Sequence, residues 1–289
     1  MSTFTHPENL PAERLDRVLA RNLGLGLRRC RALIDGGHVL VDDRPLPKGG
    51  LVRPGQQVRV SEPGEHSEPV AGVEVVARDG GFAALFKPGG VHSVAGKGAP
   101  NLEGCLPGLG LQGWALLNRL DFLTSGLVLA GAGAGEAALY KGWQDGAQVF
   151  KWYLALAHGA VDALELGGII LDDKRRVVRV TDEEDVPLRR TLVAGLRRVG
   201  EDTLVLVRIL KGRRHQIRAH LAHAGHPLVG DPVYGAGESG GLFLHHWRVD
   251  MPGFSASRLP AWPFVDLESA ETVRVSLCSS QTTENGCPA

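Results

Sequence analysis

The sequence predicts an α+β fold in two domains, the larger one built on a mostly antiparallel mixed sheet with flanking helices. Three observations carry this expectation. Short β-rich segments come in runs, without the strict strand–helix alternation of a parallel α/β sheet. A chain of 289 residues corresponds to about two domains of roughly 100–200 residues each. The segment from Ser61 to Gly72 holds two prolines, two glycines and three glutamates with little that is apolar, which is the composition of a linker.

Taken in order, residues 1–10 read as an N-terminal arm. Leu15, Val18 and Leu19 recur at helical spacing, with Arg14, Arg17 and Arg21 on the opposite side, so the first helix is amphipathic and basic outside. A second short helix covers Leu27 to Ile34, carries Arg28, Arg29 and Arg31, and stops at Gly36-Gly37. Then come a β run from His38 to Val41, turns at Asp42-Asp43 and Pro54-Gly55, and a strand at Val58–Val60. Residues 11–61 thus form a small αβ unit, and 62–72 form the linker.

The larger domain spans 73–277. It opens on a hairpin, Val73–Arg78 and Phe82–Lys87 around Asp79-Gly80-Gly81, because glycine tolerates the positive φ of such turns. Further strands are expected at Gly126–Ala130, Val149–Ala157, Val177–Val180, Thr203–Leu210, Leu242–Val249 and Thr272–Leu277. Helices are expected at Glu136–Asp145 and at His215–Ala224, the latter ended by Gly225 and Pro227. Residues 278–289 are a polar, frayed tail.

Composition removes several classes. At 43% hydrophobic and 22% charged residues the chain buries a core and is neither disordered nor collagen-like. Its longest uncharged stretch near the middle, Gly126 to Gly135, is far short of the roughly 20 residues of a membrane span. The first residues lack the basic start and apolar run of a secretory signal, so a cytoplasmic protein is expected. Cys30, Cys105, Cys278 and Cys287 are widely separated, with no C-x-x-C pair, and fit neither a zinc ribbon nor a disulfide framework.

Local motifs leave the chemistry open. There is no phosphate-binding G-x-x-x-x-G-K-[ST] loop and no G-x-S-x-G elbow. Gly108-x-Gly110-x-x-Gly113 has the letters of a dinucleotide fingerprint, but Pro107 precedes it where a strand is required. His215, His220, His223 and His226 crowd one stretch, and the spacing of His220 and His223 suits a metal. Against that, no H-E-x-x-H occurs, and Arg213, Arg214 and Arg218 would repel a cation. From Thr203 to Gly230 there are five bases and no acid, a run that suits a phosphate backbone. Asp121, in the loop from Asn118 to Leu127, is by local context either a turn residue or a catalyst.

Together these segments resemble the RluA family of RNA pseudouridine synthases. Arg119, Leu120, Asp121, Thr124, Ser125 and Gly126 match its motif H-R-L-D-x-x-[TS]-[ST]-G. Lys151-Trp152-Tyr153-Leu154-Ala155 is similar to its K-x-Y-x-A strand, and Phe86-Lys87-Pro88-Gly89-Gly90 to its N-K-P-x-G strand end. Lys211 to Leu221, continuing through Gly230-Asp231-Pro232 and Tyr234-Gly235, resembles its signature T-G-R-x-H-Q-I-R-x-H-L. Residues 11–61, with R-L-D-x-x-L at Arg14 to Leu19 and the V-L-V strand, resemble the S4 RNA-binding domain.

The resemblance implies a catalytic cleft in which Asp121 is the essential carboxylate, Tyr153 packs on the target uracil and Arg218 pairs with Asp121. It implies RNA contacts from Arg119, Lys151, Arg213, Arg214, His215 and Gln216, and from Arg14, Arg17, Arg21, Arg28 and Arg31 of the small domain. It implies an RNA partner, rRNA before tRNA, and a monomer that needs no cofactor and no metal. Four departures stand out: Asn118 for the usual His, Phe122-Leu123 for a pair often polar, Phe86 for Asn, and Lys211-Gly212-Arg213 for T-G-R. Asn118 and the Phe122-Leu123 pair leave a second expectation, an RNA-binding protein whose catalytic site has lapsed.

The 32 basic and 32 acidic residues give no net charge, which by itself disfavours a nucleic-acid partner. Their distribution reverses that reading. Residues 1–60 carry ten bases against six acids and residues 203–249 six against two, so two basic surfaces are expected.

Overall fold

The computed structural model describes residues 2–35, 38–47, 49–61, 70–94, 101–172, 177–235 and 240–279. The Gly36-Gly37 helix stop, most of the 62–72 linker and nearly all of the 278–289 tail lie outside the described residues. The chain forms two compact units, residues 1–73 with 91–112, and residues 74–90 with 113–289. The segment 91–112 departs from the expected continuous 73–277 domain. It leaves the sheet after the Phe82–Lys87 strand and closes on itself, Leu102 N–H donating to the His92 carbonyl and Glu103 N–H to that of Ser93.

In the first unit two helices, Leu15–Leu23 and Leu27–Asp35, pack with a four-stranded sheet ordered Ser2–Thr5, Gln57–Val60, Val39–Val41 and Arg44–Pro45. Within the N-terminal arm, Ser2–Thr5 pairs antiparallel with Gln57–Val60, which supplies its backbone groups with partners. Leu15, Val18 and Leu19 are fully buried against Cys30, Val39, Val52 and Val58, as the helical spacing requires. Asp16, also fully buried, ties the two helices together by accepting from Arg14 Nη2 at 3.0 Å and Arg31 Nε at 2.8 Å. Its pKa is held down to about 2, first by the Arg14 hydrogen bond.

The second unit is α+β. Its ten-stranded sheet, among the described residues, runs Ala163–Leu166, Thr191–Val199, Asp202–Ile209, Phe150–Ala157, Leu244–Met251, Ser125–Gly131, Phe82–Lys87, Glu74–Asp79, with Phe254–Ser257 and Ala115–Leu116 paired off this path. Every pairing in it is antiparallel except Ser125–Gly131 beside Leu244–Met251. Phe150–Ala157 is buried along its whole length, which explains its nearly continuous apolar sequence.

One predicted element changes type. Thr272–Leu277 was expected to be a strand but belongs to a helix, Leu267–Ser279. The local β-branched residues are overridden by capping and packing. Asp266 accepts from the backbone N–H groups of Glu268 and Ser269 at 3.2 and 3.0 Å, and Ala270, Val273 and Leu277 meet Trp152 and Trp247 in one apolar cluster. Thr191–Val199, Ala163–Leu166, Gly168–Leu171 and Phe254–Ser257 are strands the sequence reading missed. Thr191–Val199 carries a register shift between Gly195 and Arg197, which breaks the alternation that marks a strand.

Candidate active site

The loop Arg119–Thr124 is set by what lies on either side of it. It opens into the Ser125–Gly131 strand, where Gly126 has φ +114° and a Cβ would lie 2.4 Å from the His246 carbonyl oxygen. Only glycine lets the parallel strands approach there. On the other side Lys87 Nζ donates to the carbonyls of Pro88 at 2.9 Å and Phe122 at 3.3 Å, and Gly90 N–H donates to Phe122 O at 2.8 Å. Lys87 is fully buried, and burial pulls its pKa down to about 8, with the nearby Asp121 charge opposing. Leu120 and Leu123 pack on the apolar cluster that holds Tyr153, Ile217 and Leu221.

These anchors leave Asp121 with its side chain 24% exposed, beside the nearly buried Arg218. Arg218 Nη1 donates to Asp121 Oδ2 at 3.1 Å. The other edge of the guanidinium is clamped by Asp231, Nε to Oδ2 at 2.7 Å and Nη2 to Oδ1 at 2.8 Å. Asp231 is fully buried and also accepts the backbone N–H groups of Val233 and Tyr234 at 2.9 and 3.2 Å. Burial pushes its pKa up, but the Arg218 and backbone hydrogen bonds outweigh that and hold it below the ordinary carboxylate range. For Arg218 burial opposes the charge and Asp231, then Asp121, more than restore it.

Arg218 sits on the helix Gln216–His223, anchored in the core by Ile217 and Leu221. Tyr153 lies on the central strand where its register with Leu244–Met251 shifts between Trp152 and Tyr153, and such a bulge re-aims a side chain. Its ring stacks on His246 at 4.5 Å between centroids and 18° between planes. His246 is fully buried, donates from Nδ1 to Leu127 O at 2.5 Å, and burial lowers its pKa to about 3, so Tyr153 rests on a neutral imidazole.

Several residues expected to meet RNA make bonds within the fold. Lys151 is 4% exposed and donates to Leu210 O at 3.2 Å, and burial lowers its pKa to about 7. Gln216 is 2% exposed and donates to Arg189 O and Thr191 Oγ1 at 2.8 and 3.1 Å. For both, the strand or helix face that carries them turns into the core. Arg214 makes two bonds to Asp172, at 2.7 and 3.0 Å, and Arg213 donates to Ile170 O at 2.9 Å with Asp185 3.6 Å away. Lys211 pairs with Asp145 at 2.5 Å, and Arg208 is buried beside the Phe150 and Trp152 rings. Among the described residues, the acid-free run in the sequence is therefore matched by acids from elsewhere in the chain.

Arg119 is exposed on the loop, as are Arg14, Arg17, Arg21, Arg28 and Arg31 on the small unit, where Arg21 pairs with Glu13 at 2.6 Å. The histidine cluster disperses. His220 bonds Thr191 and Gly168, His223 Asp182, His226 the His158 carbonyl, and His215 Tyr234; among the described residues no group of three or more potential ligands could hold a metal. Asn118, in place of the usual His, accepts the Leu129 N–H at 2.7 Å and so fixes the start of the loop. Leu123 anchors it, and Phe122 stands 45% exposed beside Asp121.

The sequence reading gave no role to Asp231, Tyr234, Lys87 or His246. Signals existed: Asp231 is the first acid after the acid-free run, and His245-His246 is a polar pair inside an apolar strand.

Residues 82–223 match the family model described as RNA pseudouridylate synthase. Over 247 residues, 84% of this chain and 95% of the relative, the sequence is 30% identical to an uncharacterised RNA pseudouridine synthase of Helicobacter pylori. The chain belongs to the RNA pseudouridine synthases. It is thus an isomerase of the family that converts uridine to pseudouridine in RNA. The enzyme is also 34% identical over 250 residues to ribosomal large subunit pseudouridine synthase D of Neisseria meningitidis, covering 80% of this chain and 66% of that one. Among solved structures, human RNA pseudouridylate synthase domain containing 1 shares the fold with a TM-score of 0.59 at 20% identity, over 77% of this chain and all of that one. No described helix is long and apolar enough to cross a membrane.

Proposed function

We propose that the enzyme isomerises uridines of large-subunit rRNA in the cytoplasm, as a monomer without cofactor, with Asp121 as the reacting carboxylate. The observation that carries this is the 3.1 Å bond from Arg218 Nη1 to Asp121 Oδ2 between two motif residues 97 positions apart. The reaction breaks the C1′–N1 bond, turns the uracil in place and rejoins it through C5, so no electrons enter or leave. One carboxylate suffices, because the uracil is both leaving group and returning nucleophile; a glycosidase would use a flanking pair. The Asp121 side chain is 24% exposed to an incoming nucleotide, and Arg218, itself fixed by Asp231, offers it a positive charge that needs no reorganisation.

A uridine leaves its stack to reach such a site at a cost of a few kcal/mol. Tyr153, backed by His246, recovers part of this by stacking, worth about 1–3 kcal/mol per base, and exposed Arg119 meets the strand the base leaves. Residues 11–61, joined by the Ser2–Thr5 strand, act as an S4-like docking module. Exposed arginines on its two helices, with Asp16 of the R-L-D motif locking the pair, support that role. The similarity to a relative named for the large ribosomal subunit favours rRNA.

Asp121→Ala should abolish tritium release from rRNA transcribed with 5-tritiated uridine while leaving the circular dichroism spectrum unchanged. Retained release in that variant refutes the assignment. Mapping pseudouridines in rRNA from cells with and without the gene identifies the position, and an unchanged rRNA map excludes rRNA as the substrate.

A further inference from the structure

His215 is the residue of the site whose conformation asks for an explanation. It immediately precedes the Gln216–His223 helix with φ +56° and ψ +15°, a left-handed conformation that costs a non-glycine residue about 1–3 kcal/mol and persists where surrounding structure fixes it. What fixes it is Tyr234. The Tyr234 hydroxyl accepts the Val178 backbone N–H at 2.9 Å and lies 3.0 Å from His215 Nδ1. With Val178 N–H on its oxygen, the hydroxyl can turn its own proton to Nδ1, the arrangement that a neutral ring protonated on Nε2 completes. A neutral imidazole that accepts at Nδ1 carries its own proton on Nε2. Nε2 faces Asp121 Oδ2 at 3.8 Å, beyond hydrogen-bond length. Burial lowers the His215 pKa against the raising effect of Asp121, with Arg218 and Arg214 adding to the lowering and Asp231 opposing it, which agrees with a neutral ring.

The site therefore holds an N–H donor and a carboxylate acceptor facing one another across a gap that neither closes. A hydroxyl satisfies both, accepting from Nε2–H and donating to the carboxylate. Two hydrogen bonds of about 2.7–2.9 Å span 3.8 Å when the oxygen sits to one side of the line between them. We propose that His215, held in its Nε2–H tautomer by Tyr234, binds the ribose 2′-hydroxyl of the target nucleotide together with Asp121, and so makes the site selective for ribose over deoxyribose. RNA and DNA differ at this group, and it both donates and accepts. The Tyr234 ring also lies under the Arg218 guanidinium at 5.3 Å, so one side chain positions both groups that face Asp121. The proposal rests on Asp121 being at the reacting nucleotide.

The test uses the full-length enzyme and a ligated rRNA fragment carrying either uridine or 2′-deoxyuridine at the mapped position, with dissociation constants measured by filter binding. The wild type should prefer the ribose form by about tenfold, the size of one hydrogen bond. His215→Phe should bind both fragments alike, His215→Gln, which keeps a donor at similar reach, should restore a preference, and Tyr234→Phe should weaken it. A wild type with no ribose preference, or His215→Phe discriminating as the wild type does, overturns the proposal. If His215→Phe fails to fold, judged by its thermal melt, Tyr234→Phe carries the decision, and an unchanged ratio there overturns it. Tritium release by Asp121→Ala would instead mean that the catalytic reading had failed, whatever the ribose ratio.

Discussion

Asp231→Asn tests whether the site is built around its arginine. The substitution preserves size and removes charge, so no cavity contributes. Asp231 is fully buried and takes both Nε and Nη2 of an arginine that is itself 3% exposed. Removing one partner of a buried ion pair costs about 3–5 kcal/mol, because the remaining charge stays buried with too little compensation. Asp121 offers Arg218 only one further bond. For a unit of this size that loss lowers the melting temperature by roughly 6–20 °C, at about 2–4 °C per kcal/mol. Asp121→Asn is the contrast: its side chain is 24% exposed and the Asp231 clamp remains, so stability should change by less than about 1 kcal/mol while turnover is lost. Differential scanning calorimetry and tritium release on both variants give the comparison. If Asp231→Asn melts with the wild type, or if Asp121→Asn is the more destabilised of the two, the clamp does not hold the site together.

Two further outcomes follow from the loop anchors. Gly126→Ala places a Cβ 2.4–2.8 Å from the His246 backbone at φ +114°, which should destabilise the enzyme by about 3 kcal/mol or more and reduce turnover by displacing the adjoining loop; a wild-type melt shows that the strands tolerate separation. Lys87 has a folded pKa of about 8, below the unfolded value of about 10.4, so the folded state binds fewer protons between these values and Lys87 contributes a stability that rises with pH across that window. The penalty for burying its charge is fully present below about 8, and Lys87→Met should remove this part of the pH dependence; urea titrations from pH 7.5 to 10 that show the same slope for both proteins contradict it.

Much of the fold and the core of the candidate site can be read in the chain. Helical spacing at Leu15, Val18 and Leu19 marks buried positions because a 3.6-residue period puts them on one face, and the glycine hairpin at Asp79-Gly80-Gly81 marks a sheet edge through local φ preferences. Asp121, Tyr153 and Arg218 stand out because motifs of specific residue types keep order along the chain, although nothing local distinguishes Asp121 from a turn residue. The helix Leu267–Ser279 was not legible, since Thr272, Val273 and Val275 favour a strand until Asp266 and the two tryptophans decide otherwise.

Charge shows where the boundary lies. The sequence alone determines how many bases each segment carries, and residues 203–230 hold five with no acid. Only the tertiary structure decides which of them remain available. It pairs Lys211 with Asp145, Arg214 with Asp172, Arg213 with Asp185 and Arg218 with Asp231 and Asp121, because ion pairing depends on distance in space and not on separation along the chain. The same rule makes the site. Asp121 and Arg218 form a pair only when the sheet brings a loop and a helix 97 residues apart to within 3.1 Å.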